Sequence, residues 1–277
     1  MALSNWLILA LGGCRGAPQV EPAARASDSS APAPEPVRPE HPTAPASTAT
    51  PSSLAPLSGA WLVTLKTPEV TAFVTPPIGA TAPRPLVVGV HGAGDRPEWS
   101  CGGWRLASQS NTFVVCPQGN KLTPQTFAWG SPQVLAMRVD AAVAAARAKF
   151  GPYLDSGSMI FAGFSQGATF AEPFLRQNAA RFTIAILAEG GYATARSPSF
   201  AKAFRAGGGR RIVLVCGTPH CFTAAVGAKP VLERAGIEAL VVGDDKAGHN
   251  LNESMQRALQ AAWPEISAPP HELGHQH

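Results

Sequence analysis

The sequence predicts a three-layer α/β fold, in which a mostly parallel eight-stranded sheet is covered by helices on both faces. Two observations support this prediction. Continuous apolar runs recur along the chain, as expected for strands that are buried on both faces. Segments compatible with helices lie between most of these runs, and this alternation is typical of parallel strands joined by crossover helices.

The predicted strands begin after residue 58. The first two, 61–65 and 70–74, are β-rich runs separated by a short turn-like segment, so we expect an antiparallel pair. The other six predicted strands are 86–90, 112–116, 159–162, 183–187, 212–216 and 238–242. The predicted helices are 104–110, 132–150, 166–177, 199–205, 223–235 and 251–262.

Composition limits the classes of function. The chain has 277 residues, of which 45% are hydrophobic and 14% charged, enough for one α/β domain plus extra segments. Its formal charge of +4 is spread without Lys or Arg blocks or interleaved aromatic residues. The sequence therefore does not support nucleic-acid binding.

The N-terminal residues 1–14 form an apolar segment that is too short to span a bilayer. Their end, Leu11-Gly12-Gly13-Cys14, resembles a bacterial lipobox, in which the signal is cut before a cysteine that then carries a lipid. This resemblance implies a cell-envelope lipoprotein, periplasmic or on the outer surface, held at the membrane through Cys14. No Lys or Arg precedes Cys14, so an uncleaved segment or a start further upstream stays the alternative.

Three further segments follow Cys14. Residues 15–58 are rich in Ala, Pro and Ser and predict an extended disordered linker, because such a composition cannot form a core. Residues 59–265 are the predicted folded domain. Residues 266–277 are predicted to be a flexible tail, whose histidines, His271, His275 and His277, are expected to be solvated.

A Gly-x-Ser-x-Gly motif, Gly163-Phe164-Ser165-Gln166-Gly167, lies between a predicted strand and a predicted helix. Glycines there let the strand and the helix approach closely, while the serine is held in a strained turn with its hydroxyl exposed. The motif resembles the nucleophile elbow of the α/β-hydrolase superfamily, and the resemblance covers about residues 59–264. It implies that Ser165 is a nucleophile; the alternative is a glycine-flanked surface serine.

The same resemblance implies a base and an oxyanion site. His249 follows the last predicted strand, where these hydrolases carry their catalytic histidine; the alternative is a loop histidine that caps the last helix. His91-Gly92-Ala93-Gly94 follows strand 86–90, the position of the His-Gly oxyanion loop. The implied oxyanion donors are the backbone N–H groups of Ala93 and Gln166, and the alternative is an ordinary Gly-rich turn.

The acid departs from the pattern of the superfamily. Many members carry Gly-x-x-Asp after the strand that precedes the histidine strand, but here His220 stands at the aspartate position. Glu189, at the end of the preceding predicted strand, occupies an acid position that some members use. Asp244 or Asp245, or no acid at all, stay open, as does a role for Glu189 in capping a loop.

The cysteines other than Cys14 number four, which fits an exported protein with two disulfides. Cys216 can pair with Cys221, and Cys101 with Cys116, although four cysteines permit three pairings. Buried free thiols in a reducing compartment are the alternative. The sequence predicts neither a metal nor another cofactor.

Four aromatic residues are predicted near the carboxyl ends of the strands, where they would line a substrate groove or simply pack: Trp99, Trp104, Phe127 and Trp129. No long lid-like insertion is visible, which favours small soluble esters or accessible polyester chain ends as substrates.

The predicted function is a serine hydrolase that cleaves a carboxylic ester through an acyl-enzyme intermediate. Within the superfamily the chain resembles small lidless carboxylesterases, dienelactone hydrolases and polyhydroxybutyrate depolymerases. An acyltransferase, thioesterase or peptidase using the same serine is one alternative. A surface-tethered binding protein without activity is another, motivated by the missing aspartate. The sequence leaves the oligomeric state open.

Overall fold

The computed structural model describes residues 53–269. Cys14, the predicted signal segment, most of the linker and the tail histidines lie outside these residues, so the assignments made for them stay predictions. Leu54 and Leu57 already donate backbone hydrogen bonds to Thr81 and Ala80, a few residues before the predicted start of the domain at residue 59.

The eight predicted strands form one sheet, each within two residues of its predicted bounds. The first two strands are antiparallel, as predicted, and the second is also antiparallel to its other neighbour, whereas the remaining pairs are parallel. The main strands are β1 (Val63–Lys66), β2 (Thr71–Thr75), β3 (Leu86–Val90), β4 (Phe113–Pro117), β7 (Ile160–Phe164), β8 (Ile184–Ala188), β9 (Arg211–Cys216) and β10 (Glu238–Gly243). A short hairpin, β5 (Asn120–Lys121) and β6 (Phe127–Ala128), lies between β4 and β7 along the chain. The order in the sheet is β1-β2-β4-β3-β7-β8-β9-β10.

Five of the six predicted helices each overlap one helix of the structure, and the helix over 132–150 has its predicted bounds. The helices are α1 (Pro97–Ala107), α2 (Pro132–Phe150), α3 (Gln166–Thr169), α4 (Glu172–Asn178), α5 (Tyr192–Ala195), α6 (Pro198–Ala206), α7 (Pro219–Arg234) and α8 (Glu253–Ser267). The single helix predicted over 166–177 is wrong: it is divided into α3 and α4, and Pro173, at the start of α4, has no N–H with which to continue a helix.

Helix α7 begins four residues earlier than predicted. The Thr218 hydroxyl accepts a hydrogen bond from the Cys221 N–H at 3.3 Å, and Pro219 occupies the first helical position. A side-chain cap followed by proline is a strong helix start. This start places the first turn of α7 directly after β9, at the carboxyl end of the strand.

Two apolar clusters pack against the two faces of the sheet. Successive residues of β3 belong to different clusters: Val88 to the first and Val87 to the second, because side chains alternate along a strand. The first cluster includes buried residues of α2, α4 and α7, and the second includes those of α1 and α8. The sheet is therefore covered on both faces, as predicted.

Two of the four aromatic residues considered for a substrate groove pack in the interior, which was the alternative for them. Trp104 is 0% exposed and Trp129 is 2% exposed. Trp104 packs in the cluster under α1, because α1 runs back over the sheet and turns this side chain inward. Trp99 and Phe127 retain solvent exposure.

Two disulfides join the predicted cysteine pairs. Cys101 in α1 is bonded to Cys116 in β4, with Cα atoms 5.7 Å apart. Cys216 at the end of β9 is bonded to Cys221 in the first turn of α7, with Cα atoms 5.2 Å apart. Of the helices in residues 53–269, none has both the length and the apolar character needed to cross a membrane.

We expect Arg211 to be important for stability. Its guanidinium is 1% exposed, forms an ion pair with Glu238 at 2.7 Å, and donates to the carbonyls of Ile266 and Ala268 at 2.8 Å each. Arg211→Met leaves the Glu238 carboxylate without its counter-charge and two carbonyls without their donor. The free energy of unfolding in urea should therefore fall by about 3 kcal/mol.

The matched control is Arg181→Met. Arg181 pairs with Asp140 at 2.8 Å, but both side chains are largely exposed, so this change should cost at most about 1 kcal/mol. Equal losses for the two variants would contradict the role assigned to Arg211.

Candidate active site

The candidate site lies at the carboxyl ends of four neighbouring parallel strands. Ser165 follows β7, Glu189 follows β8, Gly217 follows β9 and His249 lies in the loop after β10. Backbone pairing continues past the strand ends, since the Ser165 N–H donates to the Ala188 carbonyl at 2.8 Å. Parallel strands that end at one edge bring residues distant in sequence together.

The same pairing continues toward the other edge of the sheet. The Glu189 N–H donates to the Val215 carbonyl at 2.9 Å, and the Gly248 N–H donates to the Gly217 carbonyl at 2.7 Å. The second of these bonds draws the loop after β10 back over the end of β9. As a result, His249 reaches across toward the residues that follow β7 and β8.

Ser165 occupies a strained turn between β7 and α3. Its φ is 52° and its ψ is −114°, a combination that non-glycine residues rarely adopt. Glycines on both sides make room for the turn: a Cβ at Gly163 would lie 2.8 Å from the Ala168 nitrogen, and one at Gly167 would collide with the Val90 carbonyl oxygen. The serine side chain is partly exposed at the tip.

The structure brings Ser165, His249 and Glu189 together in a chain of hydrogen bonds. His249 Nε2 lies 2.9 Å from Ser165 Oγ, and His249 Nδ1 lies 3.2 Å from Glu189 Oε2. A carboxylate accepts a hydrogen bond from Nδ1–H, which leaves the Nε2 lone pair facing the serine hydroxyl. The side chain of His249 is 54% exposed, whereas that of Glu189 is 1% exposed.

Several donors surround the buried Glu189 carboxylate. The Gly217 N–H donates to Oε1 at 2.5 Å, and the Thr218 hydroxyl donates to Oε2 at 3.2 Å. The Tyr192 hydroxyl lies 3.5 Å from Oε2, and burial together with the Glu189 charge holds the pKa of Tyr192 well above its usual range. These contacts fix the direction of the carboxylate toward His249.

The other acid positions considered from the sequence are not brought to His249. His220, at the aspartate position of the superfamily, is exposed in the first turn of α7, and its ring packs edge-on against Tyr192 at 5.7 Å. Asp244 accepts a hydrogen bond from the Lys246 N–H at 3.1 Å. This bond, with help from Ser254, holds the pKa of Asp244 below its usual value.

The predicted oxyanion loop packs against the turn at Ser165. A Cβ at Gly92 would lie 3.2 Å from Ser165 Cβ, and Ala93, the next residue, is exposed. Within residues 53–269, neither the Ala93 N–H nor the Gln166 N–H donates to a protein acceptor. Two unpaired backbone donors next to a serine can bind a negatively charged oxygen.

Comparison with known proteins identifies the fold. No protein-family model and no curated protein matches the chain. A carboxylesterase from Bacillus cereus matches with a TM-score of 0.50 and 16% identity, over 71% of this chain and 94% of the esterase. A ferulic acid esterase gives a TM-score of 0.52 and 13% identity, over 74% and 96% of the two chains. Esterase PE8 gives 0.53 and 19% identity, over 75% and 100%. The chain has the α/β-hydrolase fold.

At these identities the similarity shows the fold alone, because one fold supports many activities. The alignments cover nearly the whole length of each of these three structures. The part of this chain that they cover therefore corresponds to a whole α/β-hydrolase domain.

His91 stabilises the loop that carries Ala93. Its ring is buried, and Nδ1 lies 2.7 Å from the Gly92 carbonyl oxygen. Nε2 accepts a hydrogen bond from the Gly119 N–H at 3.0 Å. Because the Gly119 N–H can only donate, Nε2 carries no proton, and the single ring proton is on Nδ1. Burial lowers the pKa of His91 below its ordinary 6.5.

Sequence reasoning missed three residues that support the site: Thr218, Tyr192 and Arg138. Thr218 had a detectable signal, since Thr-Pro is typical of a helix start, and that start brings the Thr218 hydroxyl to Glu189. Tyr192 had none, because no motif marks its contact with Glu189, three residues away. Arg138 had none, because the residues to which it donates, Gln118, Gly119 and Asn120, are 18 to 20 positions distant in sequence.

The lowered pKa of His91 predicts that the stability of the folded domain depends on pH. As pH falls, His91 takes up a proton in the unfolded chain before it does so in the folded domain. The stability that neutral His91 contributes is therefore fully present above about pH 6.5 and is lost below it. The free energy of unfolding should fall by at most about 1.4 kcal/mol per pH unit in this range. Urea unfolding of wild type and His91→Gln between pH 5 and 8 measures this, since carboxylate effects common to both cancel. A difference between the two that is constant over this range would contradict the prediction.

Proposed function

We propose that the domain is a serine hydrolase that cleaves a carboxylic ester through an acyl-enzyme intermediate. The observation that carries the proposal is the hydrogen-bonded chain from Ser165 Oγ through His249 to Glu189, with separations of 2.9 and 3.2 Å. A serine, an imidazole and a buried carboxylate in this order are the groups that acyl transfer to serine requires.

Acylation begins when His249 Nε2 takes the proton from Ser165 Oγ as that oxygen attacks the ester carbonyl carbon. The carbonyl oxygen becomes an oxyanion and accepts hydrogen bonds from the Ala93 and Gln166 backbone N–H groups. The doubly protonated His249 is stabilised by Glu189 through Nδ1–H. His249 then gives the Nε2 proton to the departing alcohol, and the acyl group stays on Ser165.

Deacylation repeats these steps with water. His249 Nε2 takes a proton from a water molecule, and the resulting hydroxide attacks the acyl carbon. The tetrahedral intermediate expels Ser165 Oγ, which recovers the proton from His249. The products are one alcohol and one carboxylic acid, and the enzyme returns to its starting state.

The exposure of the site supports small soluble esters or the accessible ends of a polyester chain as substrates. Ser165 is partly exposed and more than half of the His249 side chain is accessible, so an ester can reach both without passing through a tunnel. The three similar structures reported above are esterases, which supports ester cleavage over the transferase, thioesterase and peptidase alternatives.

We also propose that the enzyme acts outside the cytoplasm, anchored to a membrane through a lipid on Cys14. The two disulfides support an oxidising compartment, because such bonds rarely persist in the reducing cytoplasm. Incorporation of a radiolabelled fatty acid into wild type but not into Cys14→Ser tests the anchor.

The first test of the proposed reaction is the hydrolysis of p-nitrophenyl esters from acetate to octanoate. Ser165→Ala should lower kcat by at least about 10⁴-fold, and Glu189→Gln should lower it by about 10³- to 10⁴-fold, because the amide cannot stabilise the protonated imidazole. Asp244→Asn is the matched control, since it removes a carboxylate near His249 in sequence, and should change kcat less than about twofold.

If wild type and Ser165→Ala hydrolyse every ester equally, the esterase proposal is wrong. Labelling by a fluorophosphonate would then separate another acyl acceptor, which requires an activated serine, from a binding protein, which does not. A larger loss for Asp244→Asn than for Glu189→Gln would reassign the acid.

The disulfide between Cys216 and Cys221 is expected to matter for turnover, because it closes the loop whose Gly217 N–H and Thr218 hydroxyl hold Glu189. Replacing both cysteines with alanine should lower kcat by about 10- to 100-fold, the cost of a small misplacement in an active site. The measurement is kcat per fluorophosphonate-titrated site.

The matched control replaces Cys101 and Cys116 with alanine. This disulfide closes a longer loop, with a sequence separation of 15 between its cysteines against 5. Its loss should therefore cost more stability, about 3 kcal/mol, and less turnover. If both double variants keep wild-type kcat, the Cys216–Cys221 bond has no part in orienting Glu189.

A further inference from the structure

We propose that Trp129 is a positioning residue that holds the two oxyanion donors in their relative places. The inference rests on the proposed function, because it concerns the Ala93 and Gln166 N–H groups. Trp129 is almost completely buried, so it acts through its neighbours and not by touching substrate. Its contacts reach both segments that carry the donors.

The first contact is with the loop before Ala93. The Trp129 indole Nε1–H donates to the His91 carbonyl at 2.8 Å. The indole also stacks on the His91 ring, with centroids 4.7 Å apart and planes inclined by 28°. The carbonyl and the ring of His91 are therefore both held by one side chain, two residues before the Ala93 N–H.

The second contact is with Gln166, which supplies the other donor. The Trp129 backbone N–H donates to Gln166 Oε1 at 2.8 Å. The Gln166 side chain is thereby tied to the same residue that fixes His91. Trp129 thus bridges the loop after β3 and the first residue of α3, whose backbone N–H groups must point at one oxygen atom.

The segment that carries Trp129 is itself anchored. Arg138 in α2 donates to the carbonyls of Gln118 and Gly119 at 2.5 Å each and to Asn120 Oδ1 at 2.7 Å. At its other end, the Phe127 N–H donates to the Asp95 carbonyl at 2.9 Å. The segment between β4 and α2 is therefore held by α2 near its start and by Asp95, just after the oxyanion loop, near its end.

Preorganisation is the reason such a bridge should affect rate. An oxyanion hole works because its donors already point at the position of the developing charge, and loss of one donor costs about 10²- to 10³-fold in kcat. Removing the bond from Trp129 to the His91 carbonyl leaves the donors present but free to shift. We expect a smaller loss in kcat, about 10-fold or more, with KM little changed, since the substrate ground state does not carry the oxyanion charge.

The test is Trp129→Phe, which keeps an aromatic ring and the backbone N–H but removes the indole donor. Trp104→Phe is the matched control, because Trp104 is also buried and, in the part of the chain that the structure describes, its Nε1 has no hydrogen-bond partner. Both variants remove similar apolar volume. Rates on p-nitrophenyl acetate are expressed per fluorophosphonate-titrated site, so that unfolded protein does not count.

We expect kcat to fall about 10-fold or more in Trp129→Phe and less than twofold in Trp104→Phe. The Ki of a trifluoromethyl ketone, which forms a tetrahedral oxyanion on the serine, should rise by the same factor as kcat/KM falls. A merely structural role would lower the number of titrated sites without changing this Ki.

If Trp129→Phe does not fold, 3-benzothienylalanine is placed at position 129, because it has the shape of tryptophan with sulfur instead of the N–H. If either the phenylalanine or the benzothienyl variant keeps the wild-type kcat and Ki, the inference about Trp129 is wrong, whereas the proposed esterase function stands. Wild-type protein that hydrolyses no ester and takes no fluorophosphonate overturns the proposed function first, and this inference with it.

Discussion

The buried Glu189 carboxylate is the interaction on which the candidate site depends. A carboxylate that is removed from water costs several kcal/mol unless donors replace its hydration. Here the donors come from three segments: the start of α7, through Gly217 and Thr218; helix α5, through Tyr192; and the loop after β10, through His249. Since none of them is close to Glu189 in sequence except Tyr192, the carboxylate is satisfied only when the whole edge of the sheet is assembled.

The position of this acid follows from the spacing of the sheet. Neighbouring strands lie about 4.8 Å apart. A carboxylate at the end of β8 is therefore about one strand spacing farther from the loop after β10, which carries His249, than a carboxylate at the end of β9 would be. Glutamate has one more methylene than aspartate, and Glu189 also adopts a φ of 48° that turns its side chain. The loop after β9 has a histidine at position 220 in place of a carboxylate, and its Gly217 N–H and Thr218 hydroxyl donate to the Glu189 carboxylate. Under the proposed mechanism, Glu189 supplies the carboxylate that the sequence lacks at position 220.

Much of the fold could be predicted from the sequence, because six of the eight main strands were predicted from continuous apolar runs and the other two from β-rich runs next to a turn-like segment. The short hairpin β5–β6 and helix α5 could not, since two- to four-residue elements have no periodicity to detect. At the site, local motifs identified Ser165 and His249 as candidates. The acid stayed open among Glu189, Asp244, Asp245 and no acid at all. That choice is a matter of distance across strands, which a linear pattern does not contain. The same limit applies to Trp104 and Trp129, whose burial depends on how the segments around them pack.

The two sides of Ser165 differ in chemistry, and under the proposed mechanism this difference matches the charges that acyl transfer would form. On the β8–β10 side the ionisable pair, His249 and Glu189, supports a positive imidazolium. On the β3 side the loop is held by peptide groups, an indole and His91, which burial and the Gly119 N–H keep uncharged. A carboxylate in direct contact with this loop would repel the oxyanion, whereas fixed neutral dipoles stabilise it. The His249 ring lies between Glu189 and Ser165. The negative charge of Glu189 is therefore in contact with the imidazole and is farther from the position of the oxyanion. In the proposed reaction, the uncharged contacts of His91 and Trp129 therefore complement the ionisable His249–Glu189 pair in a way that a second ion pair would not.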